Sequence, residues 1–345
     1  MRLSRSKAPI AAALGAALLF GASTPAAKQL TAAVHPVLLA GLLYAGSGLG
    51  LAVFFFIRNS SLGLRRDDLP WLGGAVLAGG VVGPVLLMLG LARTSAANGS
   101  LLLNLEGVFT ALLAWFAFRE NFDRRIALGM ALIVAGGVLL MAQPGALSGD
   151  ALGALAVAGA CLAWAVDNNL TRKVSSANAS GIAAVKGLVA GSANVAIAAA
   201  SGAAWPGIAP AAIAAGVGLL GYGISLALFV IALRELGAAR TGAYFSTAPF
   251  VGVALAIALG ESPGALFWPA AALMAAGVWL HVSERHEHEH IHEPLEHEHS
   301  HVHDEHHRHA HDASWDGAEP HRHRHRHERL THRHPHYPDI HHQHH

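Results

Sequence analysis

Ten stretches of about 20 mostly apolar residues follow one another along this chain of 345 residues. A transmembrane α-helix needs about 20 such residues to cross the hydrocarbon core of a bilayer. Short connections rich in turn residues, such as "QPGALSGD" and "GESPG", separate the stretches. Each stretch therefore predicts one membrane-spanning helix, over residues 8–27, 36–57, 70–91, 95–118, 124–142, 150–171, 179–200, 207–231, 237–259 and 264–283.

The charged residues divide the chain into an apolar body and a polar C-terminal tail. Only 13% of all residues are charged, against about 25% in a typical soluble domain. Of the 22 acidic residues, 13 lie between Glu284 and Asp339, and 24 of the 25 histidines lie at or after His281. We therefore predict an all-α integral membrane protein over residues 8–283. Residues 284–345 form a histidine-rich tail that we expect to be disordered, because segments of low hydrophobicity do not form a packed core.

Lysine and arginine mark one side of the predicted membrane bundle. With the N-terminus in the cytoplasm, only Lys28 and Arg93 fall at the opposite helix ends. Loops on the cytoplasmic side of a membrane carry an excess of Lys and Arg. We therefore predict a multi-pass protein of the inner (plasma) membrane with both termini in the cytoplasm. The basic residues at the cytoplasmic ends are Arg2, Arg5, Lys7, Arg58, Arg65, Arg66, Arg119, Arg124, Arg125, Arg172, Lys173, Arg234 and Arg240.

The two halves of the body resemble each other. The segment from Leu89 to Glu120 aligns without gaps with a segment that ends at Glu261, read 141 positions later. Both copies begin with polar or small residues, continue as a long apolar run and end at a glutamate. Five helices per half, an odd number, give the halves opposite orientations in the membrane. The pattern predicts two inverted five-helix repeats, 8–142 and 150–283, an arrangement that underlies alternating access in many transporters.

Residues 8 to about 282 resemble the EamA-like branch of the drug/metabolite transporter superfamily. The resemblance rests on the ten helices in two halves, the motif "FGASTPAAKQL" in the first helix, and the two apolar runs that end in glutamate. The second copy has the Pro249 to Glu261 spacing typical of the family, whereas the first has Val108 in place of the proline and Glu106 two positions earlier. The resemblance implies a proton- or gradient-driven carrier, commonly an exporter of amino acids, small metabolites or toxic organic compounds.

One acidic residue, Glu106, lies near the middle of the fourth predicted helix. An ionisable side chain at this depth costs at least ~2.5 kcal/mol to insert, so such residues generally have a function. Helical spacing places Asn98 and Thr110 on the same face as Glu106. We predict that this polar face lines a substrate or proton pathway. The alternative is a protonated carboxyl group that only stabilises helix packing.

Polar residues in the sixth, seventh and ninth predicted helices are further candidates for the pathway. Asp167 and Asn168 lie in "WAVDNN" near the cytoplasmic end of the sixth helix, and Lys186 lies two turns into the seventh. An ion pair between Asp167 and Lys186 would neutralise both charges and is a candidate gate or substrate clamp. Alternatively, Lys186 extends to the interface and Asp167 contacts headgroup water. Tyr244 and Thr247 form an arc on the ninth helix that is suited to line the same cavity.

The tail alternates histidine with glutamate, aspartate or arginine, as in "HEHEHIHE" and "HRHRHRHE". Neutral imidazole is suited to zinc, nickel, cobalt and copper, and an H-x-H segment can present two rings to one ion. The tail lacks the spacing of a fixed four-ligand site, so we expect several weak sites for labile Zn, Ni or Co. The alternative is a solvated tail whose charge responds to pH. The candidate metal-binding histidines are His286, His288, His290, His292, His297, His299, His301, His303, His306, His307, His309, His311, His321, His323, His325 and His327.

Two function classes remain at this point. The first is a secondary transporter that exports small metabolites or toxic compounds, with the tail as a cytoplasmic metal or pH sensor. The second is a divalent transition-metal exporter for Ni, Co or Zn, with the tail as an ion collector. The sequence has no phosphate loop, serine elbow or HExxH motif, so we predict no enzymatic activity and no required cofactor. The net charge of +1 does not favour binding to nucleic acid. The expected partners are membrane lipid and a small-molecule or ion substrate. Homodimer formation is left as an open alternative.

Overall fold

The structure is a computed structural model. It describes residues 7–58, 62–118, 124–142, 150–174, 178–229, 231–232, 241, 244–282, 287–292, 295–301, 321–327 and 330–335. The chain divides into two units, Met1–Glu284 with Gln343–His345, and Arg285–His342. The described helices belong to the first unit and the described strands to the second.

The helices of the first unit agree closely with the apolar stretches of the sequence. Proline begins α2 at Pro36, where its missing N–H is not needed by the helix. Asn178 begins α8 by accepting a hydrogen bond from the Gly181 N–H at 3.2 Å. The bounds are α1 (Lys7–Leu30), α2 (Pro36–Ile57), α3 (Arg66–Arg93), α4 (Ala96–Leu102), α5 (Leu105–Phe118), α6 (Arg124–Met141), α7 (Asp150–Lys173), α8 (Ala179–Ala200), α9 (Ile208–Phe229), α10 (Ala248–Ala258) and α11 (Phe267–Val282).

Within the described residues, eight helical segments are long and apolar enough to cross a membrane. They cover the first eight predicted stretches, with Ala96–Leu113 of α4 and α5 as the fourth. The last two stretches, 237–259 and 264–283, contain the shorter apolar helices α10 and α11. Residues 233–240 and 242–243 lie outside the described part of the chain. The protein is thus helical with eight candidate spans, and the count of ten stays a prediction.

Glycine and alanine allow two helices to pack closely against α2. A Cβ atom added to Gly48 would contact the backbone of Gly187 on α8, and one added to Gly46 would contact the backbone of Ala215 on α9. Small residues at such positions let membrane helices approach closely and gain van der Waals contact. Helix α2 is therefore fixed between α8 and α9 and forms a rigid part of the bundle.

Two helices contain a π-helical segment, Val76–Val82 in α3 and Leu219–Ile224 in α9. The first has a clear cause in Pro84, which follows it and has no N–H to donate to the carbonyl of Gly80 four residues earlier. The Gly83 N–H bonds five residues back to Ala78 instead. Such segments often mark functional sites in helices.

The fourth predicted span is interrupted rather than continuous. Helix α4 ends at Leu102, a turn covers Leu103 and Asn104, and α5 begins at Leu105. The buried Asn104 side chain donates to the Leu101 carbonyl at 2.8 Å, which satisfies a backbone group released by the turn. Glu106 is therefore in the first turn of a new helix.

The second unit contains four described strands, where the sequence predicts disorder. Strand β1 (Glu287–His292) pairs antiparallel with β4 (Leu330–Pro335), and β2 (Leu295–His301) pairs antiparallel with β3 (His321–His327). The two-residue alternation of the tail has the period of a strand. In this register Glu289, Glu296 and Glu298 are opposite arginines. The disorder of the tail stays a prediction.

Candidate functional site

The carboxylate of Glu106 lies beside the break between α4 and α5. Its Oε1 accepts a hydrogen bond from Asn168 Nδ2 on α7 at 2.9 Å. Asn168 Nδ2 also lies 3.4 Å from Thr110 Oγ1, one turn further along α5. Glu106 is partly exposed and Asn168 is exposed, so this polar cluster is open on one side. It can accept a proton or a polar ligand without unfolding of the helices.

The neighbouring residue of α7, Asp167, forms an ion pair with Lys186 on α8. Lys186 Nζ lies 2.5 Å from Asp167 Oδ1 and 2.6 Å from Oδ2. The hydroxyl of Thr171 donates to Oδ1 at 2.8 Å, and the two charged side chains are 10% and 16% exposed. The ion pair considered from the sequence is thus present and nearly buried. The Lys186 ammonium group is therefore directed at Asp167 on the neighbouring helix.

The π-helical segment of α3 provides two carbonyl groups that side chains of other helices satisfy. The Gly79 carbonyl accepts from Tyr44 Oη at 2.8 Å and from Trp164 Nε1 at 2.9 Å. The Gly80 carbonyl, which has no donor from Pro84, accepts from Asn194 Nδ2 at 3.1 Å. Helices α2, α7 and α8 are therefore hydrogen-bonded to α3 at one level.

The ion pair lies directly against this segment. A Cβ atom added to Gly79 would overlap the carboxylate of Asp167. Helix α7 thus presents Asp167 toward α3 and α8, and Asn168 toward α5. A rearrangement of α7 would change both polar clusters together, which makes this helix the link between them.

Three other predicted pathway residues lie elsewhere. Asn98 lines a cavity at the start of α4, eight residues before Glu106, a separation of about 12 Å along a helix. Thr247 is exposed just before α10, and its hydroxyl donates to the Tyr244 carbonyl at 2.6 Å. Tyr244 is partly buried. The polar face expected along one continuous helix is therefore divided between two places.

Some residues of this arrangement were absent from the sequence prediction. Tyr44, Trp164 and Asn194 were not expected to bind α3, since no local pattern links residues so far apart. The sequence signal for the site was "GGVVGP", in which Pro84 removes the backbone donor for Gly80. That signal identifies the free carbonyl, although it does not identify its partner.

Among the residues that the structure describes, no group of three or more His, Cys, Asp or Glu side chains could hold a metal ion. Six of the predicted tail ligands lie outside the described residues: His286, His303, His306, His307, His309 and His311. For the others the structure gives the backbone register. His288 is opposite His334, and His290 is opposite His332. Histidines also face each other at 297 and 325, 299 and 323, and 301 and 321.

Comparison with known proteins gives a consistent result. The sequence model of the EamA-like transporter family matches residues 7–142 and again residues 151–283. An uncharacterized transporter of Methanothermobacter thermautotrophicus is 28% identical over 274 residues, which are 72% of this chain and 78% of that protein. The probable 4-amino-4-deoxy-L-arabinose-phosphoundecaprenol flippase subunit ArnE of Pseudomonas fluorescens is 40% identical over 83 residues, which are 24% of this chain and 71% of that protein.

One crystal structure has a similar fold, with a TM-score of 0.58 and 22% sequence identity. The match covers 78% of this chain and 95% of the other. At this level of identity the likeness concerns the fold alone.

Proposed function

The chain belongs to the EamA-like transporter family, and from this premise we propose that it is a secondary transporter that exports small metabolites or toxic compounds. The observation that carries the proposal is the Glu106 carboxylate, which Asn168 binds at 2.9 Å beside a helix break in a membrane-spanning segment. Broken helices at the level of the substrate are a recurring feature of transporters. Glu106 exchanges a proton for substrate, and Asn168 and Thr110 orient the ligand.

The Asp167–Lys186 pair acts as a gate on the cytoplasmic side of Glu106. It holds α7 to α8 next to the π-helical segment of α3. Breaking the pair allows α7 to move away from α3 and opens the Glu106 cluster to the cytoplasmic side as well. Because the two charges neutralise each other, neither Asp167 nor Lys186 is left as an unpaired ion in the closed state.

The inverted repeat supports alternating access. Shifted by 141 positions, the π-helical segment of α3 falls on residues 217–223, and that of α9 is Leu219–Ile224. Equivalent places in the two halves therefore have the same unusual helix geometry. In this mechanism two repeats, residues 8–142 and 150–283, rock against each other. The protein then has ten helices in the inner membrane, with both termini in the cytoplasm.

The tail, 284–345, binds zinc, nickel or cobalt and reports cytoplasmic metal to the transporter. Facing histidines on paired strands support this role, because opposite residues have Cα atoms about 4.5–5.5 Å apart. Imidazole groups at such positions are suited to share one borderline metal ion.

A second candidate function is export of the metal itself, with the tail as its collector. The histidine content of the tail favours it. The body favours it less, since the described helices contain no cluster of three metal-binding side chains. The match to the ArnE subunit covers 83 residues; it supports membrane transport as the class of activity without extending that protein's substrate to this chain.

The test is transport in proteoliposomes with the full chain and with a chain that lacks residues 284–345. Uptake of nickel, cobalt and zinc is compared with uptake of a pool of amino acids, under an imposed pH gradient. We expect flux of an organic substrate that persists without the tail and is lost in Glu106→Gln. Glutamine can still accept the Asn168 hydrogen bond, so the loss would report the carboxylate itself.

Asp67→Asn is the matched control, because it replaces a carboxylate by an amide at a side chain that is 88% exposed and lies outside the Glu106 cluster. Flux that is independent of Glu106 would refute the proposed pathway. Metal flux that survives removal of the tail and is lost in Glu106→Gln would establish the second function in place of the first.

A further inference from the structure

A cavity of about 510 Å³ lies where the C-terminal ends of α1 and α3 meet the start of α4. Its wall contains Lys28, Arg93, Ser95, Asn98 and Glu261. The cavity is at the opposite end of α3 from Arg66, and the two basic residues in its wall are separate from the Glu106 cluster. None of its charged groups has a role in the transport path proposed above.

The single carboxylate in the wall is already engaged. Glu261 Oε1 accepts from the Ala96 N–H and Oε2 from the Ala97 N–H, both at 2.8 Å. These bonds satisfy the first free N–H groups of α4. Glu261 therefore serves the helix and does not neutralise the basic residues by direct contact.

The two cations have unused hydrogen-bonding capacity. Lys28 Nζ donates one bond, to the Leu91 carbonyl at 2.6 Å, and an ammonium group has three N–H donors. In the part of the chain that the structure describes, Arg93 is exposed and has no recorded hydrogen bond or ion pair. Two cations and one carboxylate leave one positive charge in the cavity.

We propose that this cavity binds an oxyanion, a carboxylate or phosphate group. Arg93 provides a planar fork for two oxygen atoms, and Lys28 adds a point charge. The Ser95 hydroxyl accepts the Asn98 N–H at 3.1 Å, which leaves its own proton free to donate to the ligand. The Asn98 amide and the hydroxyl groups of Thr94 and Ser262 are further polar donors in the wall. This assignment gives Asn98 a role that does not depend on Glu106.

The anion has two possible sources, a phospholipid headgroup or a free anion, and both present the same chemistry. The experiment uses the full chain purified in an uncharged detergent and titrates it with inorganic phosphate by calorimetry. In parallel, native mass spectrometry counts phosphatidylglycerol retained after purification from phosphatidylglycerol-doped membranes. Variants Arg93→Gln and Lys28→Gln are compared with Arg66→Gln, which removes a cation from the other end of α3.

We expect each cavity variant to weaken binding by about tenfold or more, the usual size for a lost charge-assisted hydrogen bond. Arg66→Gln should match the wild type. Loss of bound phosphatidylglycerol in Arg93→Gln identifies the lipid source, and loss of phosphate binding alone identifies the free anion. Arg93→Lys should restore part of the affinity, which separates a charge effect from misfolding.

The proposal is overturned if neither ligand binds the wild type, or if Arg93→Gln binds as the wild type does. It is also overturned if Arg66→Gln causes an equal loss. Since binding is measured without transport, failure here is distinct from failure of the proposed export activity.

Discussion

Replacing Lys186 by methionine should destabilise the bundle strongly. The substitution leaves the Asp167 carboxylate 10% exposed and without the ammonium group that lies 2.5 Å from it. At an effective dielectric constant of about 20, two unit charges at this distance attract by ~7 kcal/mol. Desolvation offsets much of that energy, and removal of one partner of a buried pair typically costs about 3–5 kcal/mol. We expect a loss of stability of this size.

The double variant Asp167→Asn with Lys186→Met should be more stable than Lys186→Met alone. It removes both charges, and so it leaves no uncompensated ion. The comparison separates the cost of an unpaired carboxylate from the cost of altered packing.

The sole cysteine provides the assay. Cys161 has no exposed surface, so a thiol-reactive fluorophore labels it only when the body opens. The temperature at which half of the protein is labelled should be highest for the wild type, lower for the double variant and lowest for Lys186→Met. Arg65→Met is the control, because its pair with Asp67 at 3.7 Å is exposed and should have no measurable effect.

A Lys186→Met midpoint equal to that of the wild type would refute the argument that this ion pair stabilises the closed bundle. A double variant less stable than the single variant would also refute it, since packing rather than charge would then dominate.

Three further predictions follow from contacts of the body. Gly218→Ala should destabilise the protein by about 1–3 kcal/mol, because the new methyl group would overlap a backbone carbonyl of α2. The control is Gly216→Ala, whose methyl group meets no atom within 4 Å and should leave the cysteine-labelling midpoint unchanged or higher. Glu261→Ala should lower that midpoint, since it removes two hydrogen bonds of 2.8 Å at the start of α4; an unchanged midpoint would show that water replaces the carboxylate. Asn168→Ala should reduce transport without affecting folding, because it removes the donor to Glu106 at an exposed position; equal flux in reconstituted vesicles would contradict a role for the amide.

Much of the body could be predicted from the sequence. Helix α2 has the predicted bounds, 36–57, because an apolar run of the right length begins at Pro36, which is well suited to the first helical position. The Asp167–Lys186 pair was one of two alternatives that the sequence left open, and the structure contains the pair. The π-helical segment could have been predicted from Pro84, whose missing N–H leaves carbonyl groups of α3 without backbone donors.

Other features depended on contacts between distant parts of the chain. The sequence predicted one continuous helix through Asn98 and Glu106, and the structure divides it by a turn at Leu103 and Asn104. The disorder of the tail, expected from its composition, stays a prediction, because composition reports the cost of ordering a segment and not which partner would offset that cost.

The sequence by itself determined that this is a helical membrane protein with a histidine-rich C-terminal segment, because burial in lipid imposes length and polarity on every span. Only the tertiary structure decided which groups meet. It placed Asn168 on Glu106, Tyr44 and Trp164 on the Gly79 carbonyl, and Glu261 on the start of a helix 165 residues away. A hydrogen bond forms only when its donor and acceptor atoms lie within a few tenths of an ångström of the preferred distance of about 2.9 Å. Between helices, that distance follows from packing and not from local sequence pattern.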